Sequence, residues 1–121
     1  MRTAVTALLA SVLAGFAASS VVHADDATAV KAGDAVFQKW CAPCHGRGAD
    51  KPGTVALQAL YHGAKPAALE DRTDMLPEFV RTFVRHGVSI MPPFRKTEVS
   101  DADLAALAAY LTRTQRQRPP C

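Results

Sequence analysis

Apolar residues recur at helical intervals in three stretches of this 121-residue chain. Val30, Val36, Phe37 and Trp40 share one helical face between Val30 and Cys41, with Gly33 on the same side. Pro77 suits the first position of a second helix, whose stripe is Phe79, Val80, Phe83 and Val84 and whose C-terminal cap is Gly87. Arg81 and Arg85, four apart, are expected on the solvent side of that helix. Ser100-Asp-Ala-Asp103 forms an N-terminal cap for a third helix carrying Leu104, Leu107, Ala108 and Leu111 on one face.

The intervening segments read differently. Residues 46–65 hold five glycines or prolines and no sustained period, which predicts loop with at most one helical turn around Val55–Leu60. Pro66 opens a short expected helix through Glu70. Pro92-Pro93 forbid helix in the loop from Ile90 to Val99. No alternating strand pattern occurs, so the expected class is all-α. So few helices do not close a core unaided, and something else must fill the middle.

The first two dozen residues are of another kind. Arg2 gives a short positive start, Ala4–Val22 is an almost uncharged apolar run, and Val22-His23-Ala24 places small residues before acidic Asp25-Asp26. That layout predicts a secretory leader over residues 1–24 and one domain over 25–121, with a loose basic tail from about Thr114. The remaining 97 residues carry 13 basic and 11 acidic side chains once Arg2 is removed with the leader, a balance that argues against a nucleic-acid surface. Export puts thiols in an oxidising compartment. The three cysteines, Cys41, Cys44 and Cys121, do not form a simple disulfide framework, and Cys121 is read as an incidental free thiol.

The chemistry concentrates in Trp40-Cys-Ala-Pro-Cys-His-Gly46. A thioredoxin-type disulfide requires a βαβ setting, and structural zinc requires a second ligand pair that His62 and His86 do not make. C-x-x-C-H in an exported helical chain reads as attachment of one c-type haem. Cysteines three apart lie on one side of a helical turn, so Cys41 and Cys44 can bond two edges of one macrocycle while His45 meets the iron. The carbonyl of Pro52 is a candidate acceptor for the other ring nitrogen of His45. For the second axial position the candidates are Met75, Met91, His62 and His86. Met91 is favoured, because Ile90-Met-Pro-Pro-Phe94 presents it from a stiffened loop. Imidazole plus thioether raises the haem potential and leaves no open iron site, so one-electron transfer is the expected function.

Taken together these motifs resemble the class I cytochromes c. Gly33-x-x-x-Phe37 is similar to that family's N-terminal helix signature, Cys41–Gly46 to its haem site, Gly87-x-x-x-Met91-Pro-x-Phe94 to its methionine loop, and Leu107-x-x-Tyr110-Leu111 to its C-terminal helix. The resemblance implies three to five helices around one covalent haem, close approach of the terminal helices at Gly33, and a Phe37–Tyr110 aromatic pair. It implies thioethers at Cys41 and Cys44, axial ligands at His45 and Met91, and a carrier role rather than an enzymatic one. Lys51-Pro-Gly-Thr54, Arg72-Thr-Asp74 and the segment 91–99 also look like small cytochromes that accompany periplasmic dehydrogenases, such as the p-cresol methylhydroxylase type.

The expected partners are therefore a dehydrogenase donor and an oxidase or second cytochrome as acceptor. The alternatives are a dedicated dehydrogenase subunit and a haem enzyme or gas sensor with displaceable Met91. Arg81, Arg85, Arg95 and Lys96 form one basic rim for an acidic partner, and Arg113, Arg116 and Arg118 a second basic run. Arg47, Arg72 and Tyr61 are candidates for the haem propionates, Arg72 first among them.

Overall fold

The computed structural model describes residues 21–113. The expected leader up to Ser20, and the tail with Arg116, Arg118 and Cys121, lie outside the described residues. Five helices follow one another: α1 (Val21–Trp40), α2 (Ala42–His45), α3 (Pro52–Tyr61), α4 (Pro77–His86) and α5 (Asp101–Leu111), with a 3-10 turn at Leu69–Asp71. The one pairing outside helices is an isolated bridge between Val88 and Met91, so the described residues are all-α, as the hydrophobic periodicity predicts. None of these helices is long and apolar enough to cross a membrane.

The core sits where the two terminal helices cross and where α4 leans on α5. Phe37 of α1 is fully buried, and its ring lies 5.6 Å from that of Tyr110, tilted by 41°. Leu104, Leu107, Ala108 and Leu111 of α5 join Val80 and Val84 of α4, together with Met75 and Val99, in the same cluster. The crossing depends on Gly33. A Cβ there would collide with the Ala106 carbonyl oxygen and lie 2.7 Å from Tyr110 Cβ, and helix backbone cannot yield cheaply.

Two segments depart from the periodicity reading. The expected loop over 46–65 contains the ten-residue α3, which starts on Pro52 as a first-turn proline and ends at His62 in the left-handed region (φ 49°). Its apolar residues Val55, Leu57 and Leu60 are not arranged to meet the protein core, so periodicity could not reveal it; only Thr54 is buried. The short helix expected from Pro66 reduces to the three-residue 3-10 turn, because Ala68 is still extended (φ −66°, ψ 128°).

Helix α4 runs as expected from Pro77 to Gly87, but its stripe divides. Val80 and Val84 enter the core, whereas Phe79 and Phe83 pair with each other at 4.5 Å on a neighbouring face. Ser100 caps α5 by a full capping box: its hydroxyl accepts from the Asp103 amide at 3.0 Å, and its amide donates to the Asp103 carboxylate at 3.3 Å.

The Gly33 crossing yields a direct expectation. Gly33→Ala lowers the stability of the haem-loaded protein by about 3 kcal/mol, the upper end for overpacking, because the obstacle is backbone. Chemical denaturation followed by far-ultraviolet circular dichroism measures it; an unchanged midpoint contradicts the close crossing.

Candidate haem site

The sulfur–imidazole motif is an extension of α1. The Cys41 amide donates to the Phe37 carbonyl at 2.9 Å, and the His45 amide donates back to the Cys41 carbonyl at 2.8 Å, closing the single turn of α2. Cys41 is half-buried and Cys44 exposed, and no disulfide joins them. Burial, reinforced by Cys44, pushes the Cys41 thiol up to about 12. That is the reverse of a redox-active cysteine, whose thiolate is stabilised. Among the described residues no group of three or more His, Cys, Asp or Glu side chains is placed to hold a metal ion by itself.

His45 is shaped by what presses on it. A Cβ on Gly53 would lie 2.9 Å from its Nδ1, so α3 lies directly against the imidazole. The Thr54 hydroxyl donates to the Gly46 carbonyl at 2.7 Å in a buried bond that ties α3 to the end of the motif. Nδ1 is buried and has no hydrogen-bond partner among the described residues, and burial lowers the pKa of the ring. A neutral imidazole is the form that binds a metal. The expected acceptor, the Pro52 carbonyl, does not serve: Pro52 is the first residue of a helix, and its carbonyl points along the helix axis.

Met91 is delivered by a tight turn after α4. Gly87 has φ 67°, and a Cβ there would meet the Met91 carbonyl oxygen at 2.5 Å. Val88 and Met91 exchange backbone hydrogen bonds of 3.1 and 2.9 Å around Ser89, which takes φ 53°. Ile90 at the tip is 88% exposed. Met91 is half-buried, while Met75 is enclosed in the core. The turn and the motif meet through aromatic rings: Trp40, the residue before Cys41, packs edge-to-face on Phe94, three residues beyond Met91, at 5.9 Å. His62 caps α3, and the His86 ring stands 2.9 Å from the Thr82 carbonyl in its own helix; neither joins the cysteines.

Large apolar side chains stand open nearby in sequence: Val55 and Leu60 of α3, Leu76 and Phe79 at the start of α4, and Val88 and Ile90 around the turn. A helix as apolar as α3 with one buried residue lacks a packing partner. A planar apolar macrocycle fits the donor set and supplies such a partner. Residues 28–111 match the family model described as cytochrome c oxidase, cbb3-type, subunit III. The chain belongs to this cytochrome c family. It is a monohaem cytochrome c, with covalently bound haem c as its cofactor and electron transfer as its role. No curated protein and no solved structure matches the chain.

The polar surroundings of the cytochrome correct several expectations. Arg72, 4% exposed, donates through Nε and Nη2 to Asp74 at 2.7 and 2.8 Å and through Nη1 to the Tyr61 hydroxyl at 2.8 Å, between the Tyr61 and Phe79 rings. Two of the three propionate candidates thus stand together. The third, Arg47, is committed to Asp71 and Glu70, the latter also accepting from the buried Tyr110 hydroxyl at 2.8 Å. Burial and this bond to Glu70 hold the Tyr110 pKa high. Sequence reasoning did not single out Glu70 because its partners lie 23 and 40 residues away.

The basic rim is also reduced. Arg85 is not on the solvent side: its guanidinium folds onto the segment after Met91. Arg81, Arg95 and Lys96 each face an acid, Glu78, Glu98 and Asp101 respectively. Arg113, expected in the second basic run, stacks 3.7 Å over the Tyr110 ring.

Asp74 sets a pH dependence. Hydrogen bonds from Arg72, then Lys65, hold its carboxyl below the ordinary carboxylate range. A carboxylate depressed on folding contributes stability above the unfolded pKa, about 4, and loses it as pH falls. Asp74→Asn is expected to cost about 1 kcal/mol at pH 7, a small value because the carboxylate is half exposed. The urea midpoints of variant and parent converge as the pH is lowered below about 4; a constant gap contradicts the ion-pair account.

Proposed function

We propose that Cys41 and Cys44 hold the haem through thioethers, that His45 and Met91 are its axial ligands, and that the protein carries single electrons between a dehydrogenase and a respiratory acceptor in the bacterial periplasm. The observation that carries this reading is the Trp40–Phe94 contact, which sets the motif beside the methionine turn. Each sulfur adds across a vinyl group, its proton passing to the neighbouring carbon, so attachment consumes no oxidant. Held by these residues, haem would supply one-electron ferric–ferrous chemistry.

The chain's residues decide what that iron can do. His45 offers a dry, neutral nitrogen from a turn closed by the Cys41 carbonyl. Met91 would hold the iron through its thioether and so leave no open position for small ligands, and a thioether ligand favours the reduced state. The open apolar residues around the turn leave room for close approach of a partner to the haem edge. The oxidase-subunit description of the matched family supports a respiratory acceptor. Residues 1–24, with a basic start, an apolar run and small residues before Asp25, support export and removal of the leader.

Optical spectroscopy of the purified protein tests the ligand pair. The oxidised form shows a weak far-red band from sulfur–iron bonding, and the reduced form resists carbon monoxide at neutral pH. In Met91→Ala the band disappears and carbon monoxide binds readily. Survival of the band in Met91→Ala refutes the assignment of Met91.

A further inference from the structure

We propose that Arg85 is a positioning residue for Met91: its guanidinium fastens the outgoing arm of the methionine loop so that the thioether stays seated on the iron. The proposal rests on the ligand reading of Met91 given above.

The loop from Gly87 to Ser100 makes a tight turn at Val88–Met91 and then runs through two exposed prolines. Gly87 packs against the Pro92–Pro93 backbone, but among the described residues the first hydrogen bond that fixes the arm beyond Met91 is at Phe94. There the attachment is dense. The Phe94 amide donates to the Val84 carbonyl at 2.8 Å, filling an acceptor left open at the end of α4. Nη1 of Arg85 donates to the Phe94 carbonyl at 3.0 Å and to the Val99 carbonyl at 2.9 Å, and Nη2 donates to Asp101 at 2.8 Å. One planar cation therefore pins the arm at both ends, three residues after Met91 and immediately before the cap of α5. Its side chain is only 19% exposed, so the two carbonyl bonds are partly shielded from water while the Asp101 bond stays open.

The packing of α4 on α5 does not need this cation. Val80 and Val84 meet Leu104 and Leu107 in the core without it. Asp101 also keeps a second partner, Lys96 at 2.7 Å, so loss of the guanidinium leaves that carboxylate paired. The loss falls on the Phe94 and Val99 carbonyls, and through them on the arm that carries Met91. A neutral thioether binds iron weakly enough that its occupancy depends on how firmly its backbone is held, as for any ligand supported from behind.

Three haem-loaded proteins decide the matter: Arg85→Gln, Arg85→Lys and Met91→Ala. The measurements are the far-red band of the oxidised form, the carbon monoxide reactivity of the reduced form, and the midpoint potential. Arg85→Gln is expected to weaken the band, to raise the thioether-dissociated fraction about tenfold or more, and to move the potential toward that of Met91→Ala, at temperatures well below unfolding. Arg85→Lys keeps one charged donor and recovers part of each signal. A purely structural role lowers the unfolding midpoint and leaves all three signals at parental values, and that result overturns the proposal. Where Arg85→Gln yields no haem-loaded protein, Arg85→Lys carries the decision: intermediate signals support the proposal and parental signals overturn it. If Met91→Ala itself retains the band, the ligand reading fails and the positioning role falls with it. If only the Arg85 variants are unchanged, the ligand reading stands and the positioning role alone is lost.

Discussion

The crossing of α1 and α5 holds the largest share of the protein core among the described residues of this cytochrome, and that imbalance governs the rest. Phe37, Leu104, Leu107, Tyr110 and Leu111 meet across a crossing so close that Gly33 cannot carry a side chain. What remains, α3 and the turn that carries Met91, has apolar side chains but little of its own protein to pack them against. A domain of this size cannot leave so much apolar surface unused. Haem held at the proposed Cys41–His45 site would resolve the conflict as a large flat core element, made permanent by its covalent attachment. Cofactor and fold are then one energetic unit.

Polar contacts take over where hydrophobic packing stops. Three arginines act as cross-links: Arg47 draws the segment after the motif onto the 3-10 turn, Arg72 joins Tyr61 to Asp74, and Arg85 binds the methionine arm to α4 and α5. A guanidinium suits these places because its planar fork satisfies several acceptors at once while its stem fills space. Arg72 and Arg85 are thereby withdrawn from solvent, whereas Arg47 stays mostly exposed. The exposed apolar tip at Ile90 is a prominent surface feature next to Met91.

Local signals were fully legible in the sequence. The Cys41–His45 spacing, the proline start of α4, the Ser100 capping box and the Phe37–Tyr110 pair each depend on neighbours a few residues apart or on a resemblance carried by short motifs. Helix α3 was not legible, because its apolar positions have no protein face to repeat against, so the amphipathic period is blurred. The Pro52 carbonyl was misjudged for the same reason: a proline read as loop turned out to begin that helix. Arg85 was assigned to solvent by its spacing from Arg81, yet a long side chain near a helix end can bend onto a loop that returns beside it. Contacts such as Tyr110 with Glu70 join distant segments and follow only from the folded path.

Peptide mapping of protein made in cells competent in cytochrome maturation probes the haem-as-core account most directly. The peptide containing Cys41–His45 is expected to carry the mass of one haem on both sulfurs, with neither thiol open to alkylation. A peptide at the bare polypeptide mass, with both cysteines alkylated, contradicts the account.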